Sequence, residues 1–425
     1  MDLYLEKFNN SIKNTLFKKL PSEMQEFIKQ KSLVLRFSHQ EIKQIIDIAR
    51  DLNLWDEGSI IDIFPQHDQK RVVFARLKKA YDEIRSKPNS YKNFKLKNIP
   101  QEQKFTFAKE AKEGFGLGLC PVASEKTRCC NLLTLDAVES CGFDCSYCSI
   151  QSFYNQNTIT FDSNFKDKLK NLKLDANKTY HIGTGQASDS LMWGNREGIL
   201  DALFSFAREN PNVILEFKTK SDNIKYFLEN SVPKNILCTW SLNTPTIIEN
   251  EEHLSASLDK RIKSARTLAD KGIKVGFHFH PIVHYEGYLD EYKEVYKRLL
   301  NEFNAHEVAL VSFGTLTFIK PVIKQLRERD FKTKITQMPL VDASGKGSYP
   351  ETIKVEMFKH AYESFAPWHP KGTSLGAHKD TFFYLCMESH EMWAKCFGYG
   401  YSTNNDFERA MLSAYAKKLG MDFLI

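Results

Sequence analysis

The chain has 425 residues, 42% apolar and 26% charged, with 59 Lys and Arg against 53 Asp and Glu and a formal net charge of +6. Such proportions describe a soluble globular protein of two or three units, and no run of 18 apolar residues offers a membrane span. The mild basicity permits an acidic or nucleic-acid partner without demanding one. Met1-Asp-Leu-Tyr-Leu-Glu-Lys7 lacks the regions of a secretory signal. Nine cysteines without such a signal point to reduced thiols in the cytoplasm.

Residues 1–115 read as a polar, helical region. Ser22 with Gln25 and Ser38 with Glu41 have capping-box spacing, and after Ser38 the apolar residues recur at helical intervals. Ser86–Gln103, rich in Lys and Asn with two prolines, reads as a linker.

Residues 116–320 alternate strands with helices. Expected strands are Leu132–Leu135, Thr179–Ile182, Val213–Lys218, Ile236–Leu242, Lys274–Phe279 and Glu307–Ser312. Expected helices are Glu197–Arg208, Ser221–Leu228, Leu258–Lys271 and Asp290–Phe303. That order implies a parallel sheet with helices outside, whose chemistry sits on loops at the C-terminal strand ends. The loop after the first strand reads Cys141-Gly-Phe-Asp-Cys145-Ser-Tyr-Cys148. A structural zinc wants four closed ligands, whereas a [4Fe–4S] cluster capped by three thiolates leaves one iron open. The C-x3-C-x2-C spacing resembles that of the radical S-adenosylmethionine (SAM) superfamily, in which SAM chelates the fourth iron. The resemblance implies a partial (β/α)6 barrel, a [4Fe–4S] cluster on Cys141, Cys145 and Cys148, and SAM as cofactor. Phe143 and Tyr147 would pack around the cluster or the adenine, or simply within the loop.

Other strand ends supply candidate ligand groups. Gly183 and Gly185 let backbone approach a ligand, and Thr184 and Gln186 can accept or donate hydrogen bonds. Glu216, Lys218 and Lys220 share one strand face, which is unusual because charges rarely face a core unpaired. Lys218 suits SAM's carboxylate, with Glu216 as its partner. Ser241 and Asn243 point the same way and suit the ribose or carboxylate of SAM, or else water. His278 and His280 also share a face; substrate contact for His280 and core hydrogen bonding for His278 are expected, since a zinc pair would want a third ligand. Cys120, Cys129 and Cys130 make a poor match to a second cluster, and Cys238, Cys386 and Cys396 read as buried thiols.

Longer segments resemble one family. The cysteine loop with Ser149-Ile-Gln151, Ile182-Gly-Thr-Gly-Gln-Ala-Ser-Asp-Ser190, Arg261-Ile-Lys-Ser-Ala-Arg266 with Gly272-Ile-Lys-Val-Gly-Phe-His-Phe-His-Pro-Ile282, Gly347–Phe358 and Leu385–Trp393 are similar to spore photoproduct lyases. The resemblance implies reductive cleavage of SAM to a 5′-deoxyadenosyl radical, which abstracts hydrogen from 5-thyminyl-5,6-dihydrothymine so that the bond between the thymines breaks. It also implies a SAM shell of Gln186, Ser188, Lys218, Ser241 and Asn243, DNA carrying a thymine photoproduct as partner, and an electron donor such as flavodoxin or ferredoxin. Two positions depart from the family pattern. Residues 179–196 hold no cysteine to return hydrogen, and Ser149 stands where a tyrosine usually follows the third cluster cysteine. Tyr147, Tyr154 or Cys130 are the alternative donors.

Residues 321–425 read as an α+β extension. Lys320, Lys324, Arg327, Arg329, Lys332, Lys334 and Lys346 are expected as a phosphate-contacting surface or a solvated face, with Tyr349 as a wedge on the former reading. The competing functions are a radical SAM enzyme acting on another nucleotide or small molecule, and a non-enzymatic zinc or nucleic-acid-binding protein.

Overall fold

The computed structural model describes residues 3–94, 105–113, 117–119, 126–149, 157–343, 346–369 and 381–424. The chain divides into two compact units. One is assembled from residues 1–100, 284–286 and 317–349, the other from 101–283, 287–316 and 350–425. These limits depart from the boundaries expected at 115 and 320. Residues 317–349 pack with the N-terminal helices, whereas residues 350–425 pack with the sheet.

In the first unit, helix His39–Trp55 opens on the capping box its sequence predicts: the Glu41 amide donates to Ser38 Oγ, and the Ser38 amide donates to the Glu41 carboxylate. Ser22 does not cap its helix. Pro21 occupies that position, its fixed φ already suited to a helix start, and Gln25 donates instead to the Leu20 carbonyl at 2.7 Å. Ile42, Ile45, Ile46, Ala49 and Leu52 form a stripe in a core shared with Phe8, Ile28, Val73 and Leu77.

Residues 317–349 are bound to these helices largely by charge. Arg327 donates to both carboxylate oxygens of Asp51 at 2.7 and 2.6 Å, and Lys332 and Lys334 pair with Asp56 and Glu57. Arg50 donates to the carbonyls of Arg327 and Arg329. Arg327, Lys332 and Lys334 are therefore neither a phosphate surface nor a solvated face: they are internal ion pairs. Tyr349 is buried and its hydroxyl accepts from the His284 amide at 2.9 Å, which excludes the expected wedge.

The second unit is built on an eight-stranded sheet. Its strands are β1 (Leu117–Leu119), β2 (Leu133–Leu135), β3 (Tyr180–Thr184), β4 (Val213–Thr219), β5 (Ile236–Ser241), β6 (Lys274–Ile282), β7 (Val308–Thr315) and β8 (Phe382–Leu385). They lie side by side in chain order, β1 antiparallel to β2 and all others parallel. The six expected strands are β2–β7. A seventh parallel strand, β8, comes from the stretch read as an extension. Helix Ser221–Leu228 shortens to Lys225–Glu229, because Ser221 Oγ accepts the Asn223 amide and holds the entry in a turn.

Alternation along the strands separates two faces. Leu215, Phe217, Trp240, Phe277, Phe279, Val311, Phe313 and Phe383 share the outer one and are buried, many among the helices. The inner face carries His181, Gly183, Glu216, Lys218, Thr239, Ser241, Gly276, His278 and Ser312. At the sheet's ends, Arg128 donates to the Tyr401 carbonyl, the Cys129 amide to Asn404, and Asn131 to Glu408. The segment before β2 is thus tied to residues beyond β8.

Replacing Arg327 with Ala leaves Asp51, 2% exposed, with only the Tyr81 hydroxyl as a side-chain partner. A loss of about 3 kcal/mol is expected in urea unfolding of the first unit, since an unpaired buried charge is the costly outcome.

Candidate functional site on the inner face of the sheet

The cysteine loop leaves β2 at its C-terminal end. Gly142 lets it dock, because a Cβ there would lie 2.1 Å from Met192 Cε and 2.9 Å from Trp193. Residues Asp144–Cys145 pair antiparallel with Glu252–His253, and the Ser146 amide donates to the Glu251 carbonyl at 2.8 Å. Glu252 is the hub beneath the loop. It accepts from Tyr147, from Arg261 at 2.6 Å and from Asn243 at 3.3 Å, with Lys220 3.6 Å away. Burial pushes its carboxyl up, but Arg261 and Lys220 outweigh that and bring it down to about 2. Burial and the Glu252 charge drive the Tyr147 phenol well above its ordinary value, so it stays protonated.

Cys141, Cys145 and Cys148 are thiols rather than disulfides. Among the described residues, no three His, Cys, Asp or Glu side chains gather as a single metal ion would need. A [4Fe–4S] cluster makes another demand, one thiolate per iron. Three thiols on one short loop with Lys220 acting on two of them suit that demand. Burial drives the Cys141 and Cys145 thiols up, so deprotonation there requires a metal's charge.

After β3, Gly185 takes φ +75°, and a Cβ on it would lie 2.6 Å from the Ser190 amide nitrogen; only glycine fits this turn. The buried Asp189 carboxylate fixes the next stretch of the loop, accepting from the Thr219 hydroxyl at 2.7 Å and from the amides of Lys220, Leu191 and Met192. Ser188 Oγ accepts from Trp193 Nε1 at 3.1 Å, and Gln186 is half-buried.

Lower on the inner face runs a continuous polar chain. Glu216 meets His181 Nε2 and His278 Nε2, each at 2.7 Å, and accepts from Thr239 at 2.6 Å. Its partners are histidines and not Lys218, contrary to expectation. His278 Nδ1 lies 2.6 Å from Ser312 Oγ, which lies 3.0 Å from His280 Nε2. Burial raises the Glu216 carboxyl, yet hydrogen bonds from the two histidines hold it well below the carboxylate range. Burial, then the Lys218 charge, depresses His278 to about 4 and His280 well below its usual value. These charge states set the direction of each hydrogen bond. Neutral His278 donates from Nε2 to Glu216 and accepts at Nδ1 from Ser312. His280 must then donate from Nε2 to Ser312, which leaves its Nδ1 lone pair for a ligand.

The other expected residues divide. Lys218 has no hydrogen-bond or ion-pair partner among the described residues, and Ser241 is buried with its carbonyl accepting from Arg261. Asn243 is fully buried, donating to Glu252 and the Pro281 carbonyl while accepting from Tyr292; both ends of its amide are engaged within the protein. Tyr154, Cys120 and Ile150-Gln151 lie outside the described residues. Glu252 and Ser312 carry weight that the sequence alone did not assign, and Arg261 stood there only within a segment similar to the family; Ser312 was signalled as a lone polar residue in Val308-Ala-Leu-Val-Ser-Phe313. A groove lined by Phe227, Asn230, Lys234, Lys271 and Leu419 lies at the N-terminal ends of β5 and β6 and includes none of the expected site residues.

This layout defines a class: α/β proteins that present a three-thiol loop at the C-terminal edge of a parallel sheet. Comparison with known proteins narrows it. A family model described as Spore photoproduct lyase matches residues 66–349. The spore photoproduct lyase of Clostridium acetobutylicum is 27% identical over 180 residues, 41% of this chain and 53% of that protein. That of Bacillus subtilis is 27% identical over 124 residues, 28% of this chain and 36% of that protein. The chain thus spans about half the length, or less, of these curated relatives. Among solved structures, a spore photoproduct lyase mutant with bound AdoMet and dinucleoside spore photoproduct aligns with a TM-score of 0.53 at 18% identity, covering 69% of this chain and 87% of that one. A lyase complexed with dinucleoside spore photoproduct gives 0.52 at 18% identity, covering 66% and 81%. These two likenesses are of fold. The chain belongs to the spore photoproduct lyase family.

Two outcomes are expected. Glu252→Gln leaves Arg261, 0% exposed, without its counter-charge, and should cost about 3 kcal/mol in thermal unfolding while loosening the cysteine loop. His278 is depressed from 6.5 to about 4, so the unfolded chain takes up its proton first as pH falls. Its contribution is complete above pH 6.5 and is lost between 6.5 and 4, by about 3 kcal/mol. Urea midpoints at pH 7 and 4.5 should differ less in His278→Gln than in the wild type.

Proposed function

We propose that this chain is a radical SAM enzyme of the spore photoproduct lyase type, acting on a thymine photoproduct in DNA. The observation that carries the reading is the loop of Cys141, Cys145 and Cys148 at the end of β2, within the segment that the family model matches. The ties between the segment before β2 and the residues after β8 support a partial barrel, its parallel strands numbering seven where six were expected. Cys141, Cys145 and Cys148 would hold a [4Fe–4S] cluster, which together with SAM would supply radical chemistry able to abstract hydrogen.

This chain's residues would do the binding and orienting. Lys218, unpartnered among the described residues, provides a cation for SAM's carboxylate. Gly183 and Gly185, whose open sides meet Leu132 and Ser190, shape the turn that Gln186 and Ser188 share. Asp189 holds that turn rather than the ligand. His280, kept neutral and oriented through Ser312, offers its Nδ1 lone pair to a hydrogen-bond donor on the substrate. Tyr147, the neighbour of Cys148 in the loop, protonated and hydrogen-bonded to Glu252, would return hydrogen. Asn243 shapes the site through Glu252 and Pro281 and is not assigned a ligand. An electron donor such as flavodoxin or ferredoxin is required, and a cytoplasmic setting suits both thiols and donor. No described helix is long and apolar enough to cross a membrane.

Anaerobic reconstitution should load iron and acid-labile sulfide, and Ala at Cys141, Cys145 or Cys148 should abolish that loading. With dithionite and SAM, the wild type should form 5′-deoxyadenosine, more of it with spore-photoproduct DNA, and restore thymine. Slow SAM cleavage indifferent to that DNA would move the substrate to another nucleotide or a small molecule.

A further inference from the structure

The division into units also divides the charge. Residues 1–100, 284–286 and 317–349 contain 26 Lys and Arg against 17 Asp and Glu, a net charge of +9, so the remainder of the chain is −3. The sheet-bearing unit is therefore not the basic part of the molecule. Within the basic unit, several carboxylates are already neutralised: Asp51, Asp56 and Glu57 by Arg327, Lys332 and Lys334, and Asp330 by Lys19. The cations left over lie elsewhere.

Helix Lys70–Ser86 carries six Lys and Arg against two Asp and Glu, and it buries Val73, Leu77 and Tyr81 along one stripe. On its solvent side Arg71, Arg76, Lys78 and Lys79 are exposed over the first turns, with no carboxylate on the helix before Asp82. Asp82 and Glu83 are themselves within 3.8 Å of Arg85 and Lys79. Arg71, Arg76 and Lys78 have no ion-pair partner among the described residues. Arg71 and Lys78, seven residues apart, lie on one line of the helix about 10 Å apart along its axis. The helix N-terminus adds partial positive charge at the same end, where Asp68 is the nearest exposed carboxylate in sequence.

We propose that this unit binds nucleic-acid backbone, with the exposed side of helix Lys70–Ser86 as the centre of the contact. Cations on a solvent-facing helix meet phosphates without reading bases, so the binding is independent of damage and steeply salt-dependent. The inference rests on the reading of the substrate as DNA, and it adds how an undamaged flank is held. A folded polyanion such as an acidic electron-transfer protein is the competing partner. A unit-wide excess of nine positive charges favours the longer polymer.

The test is fluorescence anisotropy of the full chain with an undamaged duplex across a salt series. The variant Arg71→Glu/Arg76→Glu/Lys78→Glu changes only exposed side chains, and Arg71→Lys/Arg76→Lys/Lys78→Arg keeps the charge. Charge reversal should weaken binding at least about tenfold at low salt and flatten the plot of log affinity against log salt by about two to three. The charge-preserving variant should bind as the wild type does. Formation of 5′-deoxyadenosine with dinucleoside spore photoproduct, which lacks flanking phosphates, should be the same in all three. Unchanged duplex affinity and slope in the reversed variant would overturn the proposal, as would loss of flavodoxin binding with duplex binding intact. If no protein forms 5′-deoxyadenosine yet duplex binding responds as stated, the backbone contact stands and the lyase reading falls.

Discussion

A carboxylate on the inner face of a central β-strand has to be satisfied where it stands, and much of the second unit is arranged around Glu216. Its strand has neighbours on both sides, so water cannot reach it in bulk, and an ionised group there without partners would be prohibitively unstable. Two histidines and a threonine from β3, β5 and β6 supply the hydrogen bonds. Because His278 donates to Glu216, it can only accept from Ser312, and His280 can only donate to Ser312. One buried charge thereby sets the tautomers of His278 and His280 and the direction of the Ser312 hydroxyl between them. A ring whose orientation and protonation are fixed in this way presents one defined lone pair to the site.

Glu252 solves a related problem at the strand ends. The loop that carries three thiols has little regular structure of its own and would drift if held only by packing. Its two-residue pairing with Glu252–His253 and the Tyr147 hydrogen bond to the same glutamate anchor it from backbone and side chain together. Arg261 balances the charge from a helix that packs outside β5 and β6. The hub therefore links thiols, tyrosine and the amide of Asn243 in one electrostatic unit. Removing any member leaves another buried polar group unanswered, which is the condition for a stiff site.

The first unit obeys a different logic. Its helices bury an apolar stripe by ordinary periodicity, but the segment 317–349 attaches through arginine and lysine to aspartates of His39–Trp55 and to residues just beyond it. Those pairs leave the unit's remaining positive charge on the surface. A stretch of basic residues is thus split by tertiary contacts into cations that hold the fold and cations that face solvent, with opposite consequences for binding.

Local order decided much of what is seen here. Alternation of apolar residues, glycine-rich turns and the C-x3-C-x2-C spacing are short-range properties, so the strands β2–β7, the capping box at Ser38 and the position of the thiol loop were readable from the chain. The family resemblance lay in the same short segments. Features that depend on partners tens to hundreds of residues apart were not readable. Arg327 looked like a surface cation because its aspartate lies 276 residues away. Asn243 looked like a ligand group because Tyr292 and Pro281 are joined to it only in the folded sheet. Lys218 and Glu216, two apart on one face, looked like a pair, yet neighbouring strands brought histidines closer to the carboxylate. Sequence spacing sets which face a side chain occupies; only the assembled sheet sets what stands opposite it, because burial makes the nearest satisfiable partner, not the nearest residue in sequence, the stable one.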